Sequence, residues 1–163
     1  MRGSALVPLL ALTACASDPA VLVPALVEPA SATAQYFHGN CFAGFAVGMG
    51  LRVRETQGID VVLARLSYRV IDRGTGQVLA DESLDQNAIE SRFGGNASLV
   101  PAGASQTFSL AAIAQERPSG PLAVQGSVEG MDENGESVAA AFDLAARLEV
   151  RDPGPPTGGA CTP

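Results

Sequence analysis

From Phe42 to Val150 the sequence keeps a period of two almost without interruption, and that alternation confines the region to sheet structure. Ala43, Phe45, Val47, Met49, Leu51 and Val53 alternate with Gly44, Ala46, Gly48, Gly50, Arg52 and Arg54. Val62, Ala64, Leu66, Tyr68 and Val70 alternate with Leu63, Arg65, Ser67 and Arg69. The pattern returns at Phe108, Leu110 and Ala112, and again at Leu122, Val124 and Val128. It closes with Val138, Ala140, Phe142, Leu144, Ala146, Leu148 and Val150, against Ser137, Asp143, Arg147 and Glu149. One apolar face and one polar face per strand describe antiparallel rather than parallel sheets.

Turn chemistry falls between these runs. Asp72-Arg73-Gly74-Thr75-Gly76 separates one pair of strands and Asp132-Glu133-Asn134-Gly135 another. An Asn-Gly step between alternating segments is a strong hairpin signal. Val100-Pro101-Ala102-Gly103 introduces a further strand, and Pro118 to Pro121 punctuates the next. Residues 82–98 read as a polar connection with one helical turn around Ala88-Ile89-Glu90. About seven strands with turns every 10–15 residues predict an all-β fold. By that pattern residues 42–150 resemble the immunoglobulin-like and fibronectin-type folds, which implies a single antiparallel sandwich. The Trp and the Cys–Trp–Cys spacing of antibody domains are missing.

The N-terminus carries an address. Met1-Arg2 is a positive start, and Ala5 to Leu12 is an uncharged apolar run. It is too short to cross ~30 Å of hydrocarbon as a helix and reads as the apolar core of a secretory signal. Leu12-Thr13-Ala14-Cys15 follows and resembles the lipobox of bacterial lipoproteins. The resemblance implies cleavage before Cys15, acylation of that cysteine, and a mature chain anchored in a lipid bilayer of the cell envelope. Ala16 after the cysteine, rather than Asp, implies the outer membrane. An ordinary secreted protein, cut near Ala14 or Ala16, is the competing reading.

The expected organisation is therefore a signal at 1–14, a Pro/Ala-rich tether at 15–40, the sandwich at 41–152 and a Pro/Gly-rich tail at 153–163. Pro19, Pro24 and Pro29 support the tether, since prolines at this spacing favour extended, unpaired backbone. With Cys15 acylated, Cys41 and Cys161 remain as an even pair in an oxidising compartment and are expected to form a disulfide.

Composition removes several functions. The mature chain has nine arginines, no lysine and seventeen acids, a formal charge near −8. So few cations argue against nucleic-acid binding. The absence of Trp argues against stacking platforms for sugars or bases. His38 is the one histidine, which leaves a zinc site short of ligands and a Cys41–His38 nucleophile pair without a scaffold. Asp132, Asn134 and Glu136 place oxygens at alternate positions and are candidate calcium ligands. The same residues suit a hairpin turn. Asp81, Glu82, Asp85 and Glu90 read as a solvated acidic loop. Ala139, Ala141 and Ala145 are expected to face outward beside Gly44, Ala46, Gly48 and Gly50 as a smooth surface.

These readings converge on a non-enzymatic lipoprotein with no cofactor. Its sandwich is expected to bind or position another envelope component, with an envelope protein as one partner. The alternative is a surface-adhesive or calcium-dependent ligand-binding module.

Overall fold

The computed structural model describes residues 18–37 and 41–155. Among them are nine strands and one helix, arranged as two sheets around one hydrophobic core. The four-stranded sheet runs β6 (Ser105–Ala114), β2 (Cys41–Glu55), β1 (Leu22–Phe37), β9 (Leu148–Arg151). The second runs β4 (Val78–Asp85), β3 (Val61–Asp72), β7 (Leu122–Asp132), β8 (Ser137–Ala146). The two-residue β5 (Leu99–Val100) pairs with β3. All pairings are antiparallel except β1 with β9, which is parallel.

The alternation predicts the facing of most strands. Phe45, Val47, Met49, Leu51 and Val53 are buried on β2, as are Phe108, Leu110, Ala112 and Ala114 on β6. On β3 the first half differs: Val61 and Leu63 are buried while Val62 is exposed. A register shift between Leu63 and Arg65 inserts one residue and exchanges the faces, so Leu66, Tyr68 and Val70 then point inward as expected.

Residues 22–37 are not a tether. They form β1 and pair with β2 along almost their whole length. Small apolar residues make this possible, with Ala30, Ala32 and Ala34 buried on the inner face together with Leu22. The prolines are accommodated by position. Strand β9 covers only Ala30 to Thr33, so Pro24 lies where β1 is the open edge of its sheet. Pro29 lies in the register shift between Val27 and Ser31, outside the ladder.

The final apolar run also divides. Strand β8 ends at Ala146 in the second sheet, and the chain crosses at Arg147 to β9 in the first. The Ala30 amide donates to Arg147 O at 2.9 Å and fixes the crossing. Consequently Ala139, Ala141 and Ala145 do not adjoin the glycines of β2, which belong to the other sheet.

The polar stretch after β4 is more ordered than its composition indicates. Helix α1 (Gln86–Phe93) is capped by Asp85, whose Oδ1 accepts the Ala88 amide at 2.8 Å. It buries Ile89 completely and sets the Phe93 ring edge-on to Phe108, with centroids 5.3 Å apart. Burying a side chain of this size contributes roughly 1.5–3 kcal/mol, enough to hold two turns that would not persist alone.

Candidate functional site

Strand β6 is an edge. It pairs with β2 alone, and its ten residues contain no charge and no proline. Charged, short or proline-bearing edges discourage pairing with other chains, and β6 carries none of these devices. The contrast with β4, the facing edge of the other sheet, is direct: β4 carries Asp81, Glu82 and Asp85. Between the two edges lies an open cleft of about 490 Å³, lined by Leu79, Ala80, Glu82, Ala111, Ala112 and Ile113 among others. Ile113 is 66% exposed, the most exposed large apolar side chain among the described residues.

A polar network closes one wall. The Tyr68 hydroxyl donates to Glu82 Oε2 at 2.7 Å, and Arg92 from α1 donates to the same oxygen. Burial and the Glu82 hydrogen bond hold the Tyr68 phenol above its ordinary pKa. Burial works to raise Glu82, but Tyr68 and Arg92 outweigh it and keep the carboxyl below its ordinary value. Beside it, Glu90 Oε1 accepts from Ser98 Oγ at 2.5 Å. The acidic residues expected in a solvated loop are thus structural. Asp81 pairs with Arg69, Glu82 with Arg92, Asp85 caps α1, and Glu90 ties the helix to Ser98. This arrangement can recognise an extended segment by backbone pairing and apolar contact.

Asp132, Asn134 and Glu136 lie in the turn that joins β7 to β8. Asp132 is buried and its Oδ1 accepts the amides of Asn134 and Glu136, each at 2.9 Å, while both of those residues are exposed. The Glu136 amide, opposed by burial and helped by Asn134 and Ala20, holds the Asp132 carboxyl below its ordinary value. Among the described residues no group of three or more His, Cys, Asp or Glu is placed to hold a metal.

Cys41 opens β2 and is disulfide-bonded. Its expected partner Cys161 lies outside the described residues, as do Cys15 and His38. Among the described residues no helix is long and apolar enough to cross a membrane.

Three carboxylates are buried, which the turn and ligand readings of the sequence do not anticipate: Glu55, Asp72 and Asp132. Glu55 is fully buried at the end of β2, and its carboxylate accepts amides from Gln57, Gly58, Ile59 and Gly103. Asp72 accepts amides from Gly74, Ser119 and Gly120 at the opposite end of the sandwich. Each sits on the inward-facing parity of its strand, and that parity was the available signal.

No protein-family model matches the chain. No curated protein matches it either. Among solved structures, the chain is similar to a Bordetella pertussis protein crystallised under the name ApaA. The TM-score is 0.53 at 12% identity, over 80% of this chain and 95% of that one. A structural-genomics target designated SoR45 aligns at TM-score 0.49 and 9% identity, over 78% and 84% of the two chains. The sporulation control protein Spo0M of Bacillus subtilis aligns at 0.35 and 10%, over 81% and 51%. The first likeness shows a shared all-β, two-sheet fold and nothing more. The other two are too weak to carry an argument.

Proposed function

We propose that this is an envelope lipoprotein, acylated at Cys15, whose immunoglobulin-like sandwich binds another envelope protein without catalysing a reaction. The observation that supports binding is the β6 edge: ten uncharged residues, unpaired on one side, bordering a cleft with Ile113 exposed. A partner supplying an extended segment would complete the sheet by main-chain hydrogen bonds, with its apolar side chains entering the cleft between β4 and β6. Anchoring at the outer membrane would hold that edge at a fixed height for such a partner.

Photo-crosslinking in intact cells tests this reading. A photoreactive residue replacing Ile113 should yield one discrete adduct, and the same residue replacing Ser127 on the outer face of the other sheet should yield none. Equal labelling from both positions would reject the β6 edge as the binding site.

A further inference from the structure

The outer face of the β6-β2-β1 sheet is unlike the rest of the molecule. Its register aligns three rows at the end where the described chain begins: Val23–Arg54–Ser105, Ala25–Arg52–Thr107 and Val27–Gly50–Ser109. These nine positions hold two arginines and no carboxylate, in a chain of ten basic and seventeen acidic residues. The outer face of the other sheet carries Asp81, Asp85, Glu129 and Asp143. Arg65, Arg69 and Arg73 there are each matched to a carboxylate. Among the described residues, Arg52 and Arg54 make no ion pair. Around them Val21, Val23 and Val27 are 41%, 46% and 38% exposed. An open hollow of about 350 Å³ is lined by Val23, Ala25, Arg52, Arg54, Gly103 and Ser105.

We infer that this face rests on an anionic phospholipid surface. The inference rests on the reading of Cys15 as the lipid anchor. Val21 is six residues beyond Cys15, so its Cα can stand no further than about 22 Å from the Cα of the acylated cysteine. The Thr56 amide donates to Val21 O at 3.1 Å, which puts the free arginines at this same end of the sheet. Three carboxylates also lie at this end: Glu133 and Glu136 in the β7–β8 turn of the other sheet, and Asp60 in the β2–β3 connection between the sheets, where its Oδ1 accepts the Ala102 amide at 2.7 Å. Charge therefore selects which side of the sandwich meets the headgroups: valines enter the interface and guanidiniums meet phosphates. A second copy is a poorer occupant, because it would bring two unpaired arginine pairs together. The free edge of β6 points along the sheet rather than out of its face, so contact with lipid leaves the proposed partner site open.

The chain contains no Trp, so a single introduced one reports its own surroundings without background. The full lipoprotein, carrying either Ser105→Trp or Ala139→Trp, would be reconstituted in phosphatidylcholine vesicles with or without brominated phosphatidylglycerol. Both positions are exposed at the same end, on opposite faces. The Ser105→Trp protein should show blue-shifted emission, quenched by the brominated anionic lipid, and the Ala139→Trp protein should not. Arg52→Glu with Arg54→Glu should abolish that quenching while the protein still floats with the vesicles. Each arginine near an anionic surface changes partitioning by about fivefold.

Acyl mass at Cys15 and vesicle flotation report the anchor separately. An acylated, floating protein with equal emission from both positions would overturn the face and leave the anchor standing. Concentration-dependent blue shift of the Ser105→Trp protein without vesicles would mean a second copy covers the face, and would also overturn it. If Cys15 carries no acyl mass, the anchor reading fails. The face inference then survives only if quenching by anionic vesicles still depends on Arg52 and Arg54, and otherwise falls with it.

Discussion

Phe142 on β8 lies directly across from Gly126 on β7, and a Cβ at position 126 would stand 2.9 Å from the Phe142 Cζ. The same Cβ would stand 2.0 Å from the carbonyl oxygen of Ser67 on β3. The glycine therefore serves two neighbours: it admits the ring from one side and the β3 backbone from the other.

Truncating Phe142, which is buried, removes a core ring and leaves a cavity, so Phe142→Ala should cost roughly 3–5 kcal/mol. Asp143 is exposed and pairs with Arg73 at 2.7 Å, with side-chain exposures of 54% and 48%. Such a surface pair is worth about 1 kcal/mol at most, so Asp143→Ala should lie below that. Urea denaturation of the two variants checks the facing of β8. A larger loss from Asp143→Ala would mean the strand is turned over.

Gly126→Ala should destabilise by about 1–3 kcal/mol through overpacking. Because the closer contact is with the Ser67 backbone, combining it with Phe142→Ala should not restore stability. Recovery in the double variant would show that the ring alone sets the need for glycine.

A second close approach joins two turns at one end of the sandwich. A Cβ on Gly120 would stand 2.2 Å from the Gly74 amide nitrogen, and the buried Asp72 carboxylate ties both turns through their amides. Gly120→Ala should lower stability by about 1–3 kcal/mol, since neither backbone can retreat without breaking the Asp72 hydrogen bonds. Gly95, with open space around its position, is the control, and Gly95→Ala should change little. Similar melting temperatures for the two variants would contradict this contact.

The alternation carried most of the sheet structure because burial of one face imposes it residue by residue, as in Phe45 to Val53. The hairpins at 72–76 and 132–135 were equally legible, since positive φ at Gly76 and Gly135 meets a local demand of the turns. Strand β1 was not legible: its apolar residues occupy both parities in 21–27, and proline tolerance at Pro24 depends on how little of β1 is covered by β9. The crossing at Arg147 leaves no mark either, because Leu148 and Val150 keep the parity of β8 while joining the other sheet. The buried acids sit between these cases. Glu55 continues the inward parity of Phe45–Val53, Asp72 that of Leu66–Val70, and Asp132 that of Val128. An acid on the inward parity at a strand's end marks where a carboxylate gathers loop amides. Which amides it gathers is decided by loops far away in sequence. The β6 edge was readable as uncharged, but its being an edge is a property of the topology.

Pairing of Cys41 with Cys161 would close a loop of about 120 residues and, on a chain-entropy view, stabilise by roughly 4–5 kcal/mol. Mature protein denatured without reductant should expose no thiol, and reduction should lower the melting temperature while leaving the far-ultraviolet signature of the sheet. Two alkylated cysteines under non-reducing conditions would reject the pairing, and a peptide map joining Cys41 to another residue would redirect it.

Glu55 makes the stability of this protein acid-sensitive in a defined window. Burial acts to raise its carboxyl, but the amides of Gly103, Gln57, Gly58 and Ile59 outweigh burial and bring the pKa from 4.5 down to about 2. A carboxyl depressed in the folded state contributes stability that is fully present above its unfolded pKa. That contribution is lost as pH falls from about 4.5 towards about 2, because the unfolded chain then binds the proton more readily. Asp72, Glu82 and Asp132 are depressed in the same direction and steepen the acid limb. Glu55→Gln keeps the size of the side chain but turns an NH2 toward amides that need acceptors. It should cost on the order of 2–4 kcal/mol at pH 7, the scale of several buried donors left imperfectly paired. It should also flatten the fall in stability between pH 4.5 and 2, because one of the groups responsible no longer titrates. Urea midpoints at pH 7, 4 and 3 for both proteins measure this. An acid limb equally steep in the Glu55→Gln protein would remove Glu55 as a source of the sensitivity, whatever the variant does at pH 7.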